Sequence, residues 1–290
     1  MPGKPRKVSA FFKILLALTL ACGVLVAGGF YVMRKIQPIE VEPPKPKNVC
    51  TITAQGDTDQ LEPEQAANAA TISGVAFSKD LPEEAVVIAY ATVWQESKFF
   101  NIDYGDRDSV GLFQQRPSQK WGTPEQLLDP VYSAGAFYDK LTDISGYTDI
   151  PVYEAAQAVQ RSADGFAYDQ HEHLSRMMAS AFTGSAGSPV VCMLDPEKAE
   201  ETDVAAAEEE MTRVFGVEPT AVAAAGQRST GDLGWAMAQW AVANAQAYGL
   251  TSVTYQDQRW TLNHEGQDGQ KGSSWSTVPD AAPAGEIVLK

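Results

Sequence analysis

Ala85-Val86-Val87-Ile88-Ala89-Tyr90-Ala91-Thr92-Val93-Trp94-Gln95-Glu96-Ser97 is an apolar stretch that closes on a single carboxylate. Pro82, Glu83 and Glu84 precede it. A proline and two acids suit the positive end of a helix dipole, so the stretch predicts a buried helix running from Pro82 to about Lys98, with Glu96 on its last turn. A carboxyl group packed against apolar neighbours resists ionising, so its pKa rises and it keeps a proton near neutral pH. That is what a general acid needs. Fifteen residues after Glu96 comes Gly111-Leu112-Phe113-Gln114, a glycine turn that carries an amide.

Working outward, residues 50–192 read as mostly helical. Helices are expected over Leu61–Lys79, from Asp129-Pro130 through Leu141, over Val152–Ser162 and over Tyr168–Phe182, and Gly184 to Pro189 punctuates the end. Between Lys98 and Gly122 the chain is polar and irregular. Residues 193–231 are rich in Ala and Glu and read as a linker with a short exposed helix. Residues 232–290 form a small α+β unit: a helix over Leu233–Tyr248 with Trp235 and Trp240, stopped by Gly249, then strands over Thr251–Tyr255, Arg259–Leu262 and Glu286–Leu289.

Ahead of all this, residues 14–33 carry no charge and are long enough to cross a bilayer as a helix. Lys4, Arg6, Lys7 and Lys13 lie in the 1–13 tail, which places that tail in the cytoplasm and the bulk of the chain outside. A cleaved signal peptide and a lipidation site at Cys22 are the alternatives. Residues 34–49, with Pro38, Pro43, Pro44 and Pro46, read as a stem spanning roughly 40 Å if extended as polyproline helix. One spanning segment supplies no pathway for a transporter.

The first 47 residues hold eight of the 22 basic residues and two of the 37 acidic ones, leaving 14 basic against 35 acidic, a formal −21. So acidic a surface argues against nucleic acid as a partner. Cys50 and Cys192 bracket the 50–192 region and are the only cysteines beyond Cys22. In an oxidising compartment they read as a disulfide.

Residues 83–182 resemble the lysozyme-like soluble lytic transglycosylases, which cut the glycan strands of peptidoglycan. Three blocks carry the likeness: Glu96-Ser97 with Phe99 and Asn101; Gly111-Leu112-Phe113-Gln114, where the family has Gly-Leu-Met-Gln; and Ala155-Ala156-Gln157-Ala158-Val159-Gln160-Arg161-Ser162, at the place of the family's Ala-Tyr-Asn block. The whole outer part is also similar to a family of membrane-anchored actinobacterial proteins. The resemblance implies a mainly α, lysozyme-like domain (the α+β lysozyme superfamily) after one transmembrane helix, followed by the small α+β C-terminal domain. It also implies an enzyme that needs no cofactor and no metal. Glu96 would protonate the bond between N-acetylmuramic acid and N-acetylglucosamine, and the same carboxylate would then take the proton of the C6 hydroxyl that attacks the anomeric carbon. Ser97, Phe113, Gln114 and Gln160 would bind the glycan strand.

The chain departs from the family in two ways. The tyrosine that helps hold the acid is Val159 here, and the glycine after it is Ser162. The loop Asn101-Ile102-Asp103-Tyr104-Gly105-Asp106-Arg107-Asp108 is unusually acidic, and an inverting hydrolase uses a second carboxylate to activate water. Asp103, Asp106 and Asp108 are therefore candidates for that role, which would make the enzyme a muramidase. They also read as turn formers or as oxygen ligands for calcium. Glu96 itself has a bland reading, as a helix cap or an ion-pair partner of Arg107, Arg116 or Arg161. A module that keeps the glycan groove without catalysis, recruiting cell-wall or secretion partners, is the non-enzymatic alternative. His171-Glu172-His173 does not read as a metal site, because helical residues two apart diverge. The C-terminal unit is similar to a small domain of secreted microbial proteins whose relatives carry a histidine-rich strand. With His264 as its only histidine it reads as a binding or structural accessory.

Overall fold

The computed structural model describes residues 48–161, 166–195, 199–262 and 273–290. The expected membrane span, most of the stem, Ser162 and His264 lie outside them. Among the described residues no helix is long and apolar enough to cross a membrane.

The chain from Pro46 to Lys290 forms one compact unit. It opens with a hairpin, β1 (Val49–Ala54) and β2 (Asp57–Leu61), turned by Gln55 and Gly56 at φ 55 and 91. Two positive φ values in a two-residue loop match the twist of the flanking strands. Strand β3 (Val190–Met193) pairs antiparallel on the other side of β1, giving the order β2-β1-β3. This register sets Cys50 opposite Cys192, and the two are joined by the expected disulfide.

Helix α1 (Pro63–Ser78) is buried along almost its whole length, with Pro63 at its start and a Glu62–Gln65 capping box. Helix α2 (Glu83–Glu96) follows, and Ala85 to Val93 are all buried. A helix apolar on every side must be surrounded, and it is: α4 (Pro130–Thr142), α5 (Val152–Gln160) and α6 (Glu172–Phe182) pack around it together with α1. Its polar atoms are satisfied internally. Tyr90 donates to the Ala69 carbonyl at 2.6 Å and Thr92 to the Ile88 carbonyl at 2.8 Å. The short α3 (Pro124–Leu127) precedes α4.

In the segment expected as a linker, α7 (Val204–Phe215) buries Ala207, Met211, Val214 and Phe215 against α1. Gly74 makes room for it, since an added Cβ would collide with Val214. Helix α8 (Leu233–Ala243) also docks on α1, where Trp240 donates to Thr71 Oγ1 at 3.1 Å. A second antiparallel sheet, ordered β6-β5-β4-β7, is built from β4 (Ser252–Tyr255), β5 (Gln258–Thr261), β6 (Ser274–Thr277) and β7 (Ile287–Leu289). Trp275 on β6 reaches back and donates to the Val190 carbonyl at 2.9 Å.

These findings correct the expected fold class. The described chain is a mixed α/β unit with two small antiparallel sheets, not the mainly α lysozyme-like domain expected, and no transmembrane helix is found among the described residues. The first sheet lies inside the 50–192 region that reads as helical, and the C-terminal α+β residues add to the same core. The physical reason is that β1 and β3 are 142 residues apart along the chain at their disulfide. Pairing so distant leaves no local signal to mark β3.

One polar cluster ties α6 to the first turn of α2. Arg176 donates to both Glu84 oxygens at 2.8 and 2.9 Å and to Glu172 Oε1 at 2.8 Å. Arg176→Ala is expected to lower unfolding free energy by about 1–2 kcal/mol, because a bidentate pair is stronger than an ordinary surface bridge. Arg176→Lys should recover only part of this, for want of the planar fork. Denaturant midpoints of the two variants check it.

Candidate active site

Helix α2 ends where its apolar run ends, and Glu96 there is half-buried and lines a cleft of about 930 Å³. The fully buried Tyr168 donates to Glu96 Oε1 at 2.8 Å. The Gln160 amide is a second partner of the carboxylate, and its Nε2 also donates to the Phe113 carbonyl at 2.8 Å. Burial pushes the Glu96 pKa up, and the bonds from Tyr168 and Gln160, which favour the anion, offset it only in part. Glu96 forms no ion pair among the described residues. Arg107 stands 3.9 Å from Asp106, Arg116 is bound by Asp108, and Arg161 leaves Glu96 alone. The bland reading of Glu96 as an arginine partner therefore fails.

Just past Glu96 the backbone is held by its own side chains. Ser97 caps the helix and donates to the Leu112 carbonyl at 2.7 Å, which docks the glycine turn against the acid. Gly111 sits at φ +77, and an added Cβ would collide with the Leu127 carbonyl oxygen, so the turn requires glycine. Phe99 packs edge-on against Tyr90, and Asn101 donates to the Leu128 carbonyl at 2.7 Å.

The three sequence blocks thus divide by what they touch. Glu96, Gln114 and Gln160 reach the cleft. Ser97 and Phe113 do not bind from its wall as expected: Ser97 is buried on backbone carbonyls, and Phe113 is a core residue stacked on Phe137 at 4.7 Å. Gln114 lines the cleft at φ 49, its amide on the Gly111 and Tyr104 carbonyls.

No family model matches the chain, and no curated protein matches it significantly.

The three aspartates have separate fates. Asp108 accepts from Arg116 Nε at 2.8 Å and from the Ser118 backbone and hydroxyl at 2.8 and 3.0 Å. These donors hold its carboxyl well below the usual carboxylate range, so it organises the loop and is a poor base. Asp103 is exposed and off the cleft wall, whereas Asp106 lines it. Among the described residues no cluster of His, Cys, Asp or Glu is arranged for a metal ion. His171 binds Gln95 at 2.9 Å and His173 binds Asp57 at 2.8 Å, diverging as their spacing requires.

Sequence reasoning missed Tyr168, Trp121, Lys120, Lys140 and Asp143. Tyr168 lies 72 residues from its carboxylate, and nothing local marks it. It makes the bond that Val159 cannot. A further signal is visible only in the backbone: of ten non-glycine residues at positive φ among those described, Arg107, Gln114, Lys120 and Arg161 line this cleft. Such conformations are costly and concentrate at functional sites.

Proposed function

We propose that the chain is a peptidoglycan glycosidase acting at the outer face of the cell membrane, where it cleaves bonds between N-acetylmuramic acid and N-acetylglucosamine. One observation carries the reading: a carboxyl group whose pKa is raised by burial, hydrogen-bonded by Tyr168 and Gln160, in no ion pair among the described residues and lining a cleft. Protonated Glu96 gives its proton to the glycosidic oxygen as the bond to the anomeric carbon breaks. The resulting carboxylate accepts a proton from the attacking hydroxyl and is restored. If the attacking group is the C6 hydroxyl of the same sugar, the product is a 1,6-anhydro end. If water attacks from the opposite face, a second carboxylate is needed. Asp106 is then the candidate of the three, since Asp108 is committed to Arg116 and Asp103 is off the wall. Trp121, half-buried and lining the cleft, is an aromatic of the kind on which sugars stack. The Cys50–Cys192 disulfide supports an oxidising location outside the cytoplasm.

The alternative, a glycan-binding module without catalysis, draws on Val159 at the cleft where the resembled family has tyrosine. Incubating purified peptidoglycan with the full chain separates the two. Release of soluble muropeptides is expected, and retention on the glycan without release would favour the module.

Tyr168→Phe is expected to slow cleavage about tenfold, a typical cost for one lost hydrogen bond to a charged group. It should also move the descending limb of the pH–rate profile upward. Tyr168 stabilises the anion, so its loss raises the Glu96 pKa further and keeps the acid protonated to higher pH. A pH–rate profile of the two proteins checks both.

A further inference from the structure

Beyond residue 47 the chain carries 14 basic residues against 35 acidic ones. Five of those 14, Arg107, Arg116, Lys120, Lys140 and Arg161, line the cleft that holds Glu96. Elsewhere Lys79, Arg176, Arg213 and Arg259 are paired with carboxylates at 2.9 Å or less. In the cleft, Arg116 is bound by Asp108 and Arg107 stands 3.9 Å from Asp106, but Lys120, Lys140 and Arg161 form no ion pair among the described residues. They come from three places: Lys120 after the turn at Pro117–Gln119, Lys140 on α4, and Arg161 at the end of α5. Lys120 and Arg161 hold left-handed backbone at φ 66 and 55. Gathering cations that form no ion pair among the described residues on the wall of a concave site focuses a positive potential there. They share the cleft wall with Glu96, Asp106 and Asp143, yet none of the three cations is within ion-pair distance of a carboxylate among the described residues. A neutral sugar backbone would gain little from them.

We propose that this cleft recognises a glycan by its anionic substituents, namely the carboxylates of strands that carry peptides, with Lys120, Lys140 and Arg161 as the receiving cations. The inference rests on the glycosidase reading and names the form of the substrate. Phosphate groups on attached wall polymers share the anionic chemistry and are the competing source.

The test uses the full chain carrying Glu96→Gln, so that binding is read without cleavage. It is sedimented with intact peptidoglycan, with the same strands stripped of peptides by an amidase and their freed lactyl carboxylates then capped as methylamides, and with strands freed of phosphodiester-linked polymers. Removing peptides is expected to weaken binding about tenfold at low salt, and raising the salt should erase most of that difference. Removing phosphate polymers should leave binding unchanged. Lys140→Glu, an exposed site on α4 where a charge change does not disturb the core, should weaken binding to peptide-bearing strands and not to stripped ones. Equal, salt-insensitive retention on intact and stripped strands would overturn the inference, and so would loss of binding on phosphate removal. Cleavage by the wild type, run in parallel, keeps the two readings apart. If muropeptides are released while the charge dependence fails, only this inference falls. If none are released, the glycosidase reading falls and the binding result stands by itself.

Discussion

Glu96→Gln is expected to abolish glycan cleavage, lowering the rate by about 10²–10⁴-fold, the usual contribution of a positioned general acid. Glutamine preserves shape and still accepts the Tyr168 hydrogen bond, but it has no proton to give. The same variant should fold at least as well as the wild type at neutral pH. The sign follows from burial: the folded-state pKa of Glu96 lies above its ordinary value of 4.5. Such a group favours folding below the unfolded pKa, and that contribution is lost as pH rises through the folded pKa. Wherever Glu96 ionises, the wild type bears the cost of burying a charge that glutamine lacks, and the advantage of Glu96→Gln should fade below pH 4.5. Thermal melts of both proteins across this range check it. A variant that is inactive because it is unfolded would show a collapsed melting point at every pH.

Loss of the disulfide is the second large effect. Cys50 and Cys192 close a loop with a sequence separation of 142 residues. In the chain-entropy treatment a loop of this length stabilises the fold by roughly 4–5 kcal/mol, by restricting the unfolded chain. Replacing both cysteines by serine is expected to cost that much or somewhat less, read as a lower denaturant midpoint. The lesion should be felt first at the β1–β3 pairing. Helix α6 packs against β1, and Tyr168 lies just ahead of α6, so glycan cleavage should become heat-sensitive before the core melts. Reducing agent should reproduce the effect in the wild type and leave the serine variant unmoved. Identical midpoints with and without reductant would mean that the bridge does not constrain the folded chain.

Helix α2 is legible in the sequence because everything that makes it is local: an acidic, proline-led start, an unbroken apolar run and a polar end. The same holds for α1, α4, α5 and α8, whose observed starts fall close to their sequence signals. Gly111 is legible too, since a turn pressed against a carbonyl leaves no choice of residue. What is hidden depends on distant contact. Strand β3 has meaning only beside β1, and Phe113 reads as a groove residue until Phe137 is seen stacked on it. The linker helix α7 looks exposed because its acidic residues dominate its composition, yet its apolar face covers α1 at Gly74. Glu96 is therefore readable from the chain as a carboxyl closing an apolar helix, whereas its hydrogen-bond partner Tyr168 and the cations around it are not. They converge from loops and helix ends whose meeting place only the fold decides.

The most direct test of the account is the mass of the muropeptides released from purified peptidoglycan by the full chain, wild type beside Glu96→Gln. Glycan fragments are expected from the wild type alone, with either 1,6-anhydro ends or reducing ends that are heavier by one water. Fragments released equally by Glu96→Gln, or none released by the wild type from any wall, would contradict it.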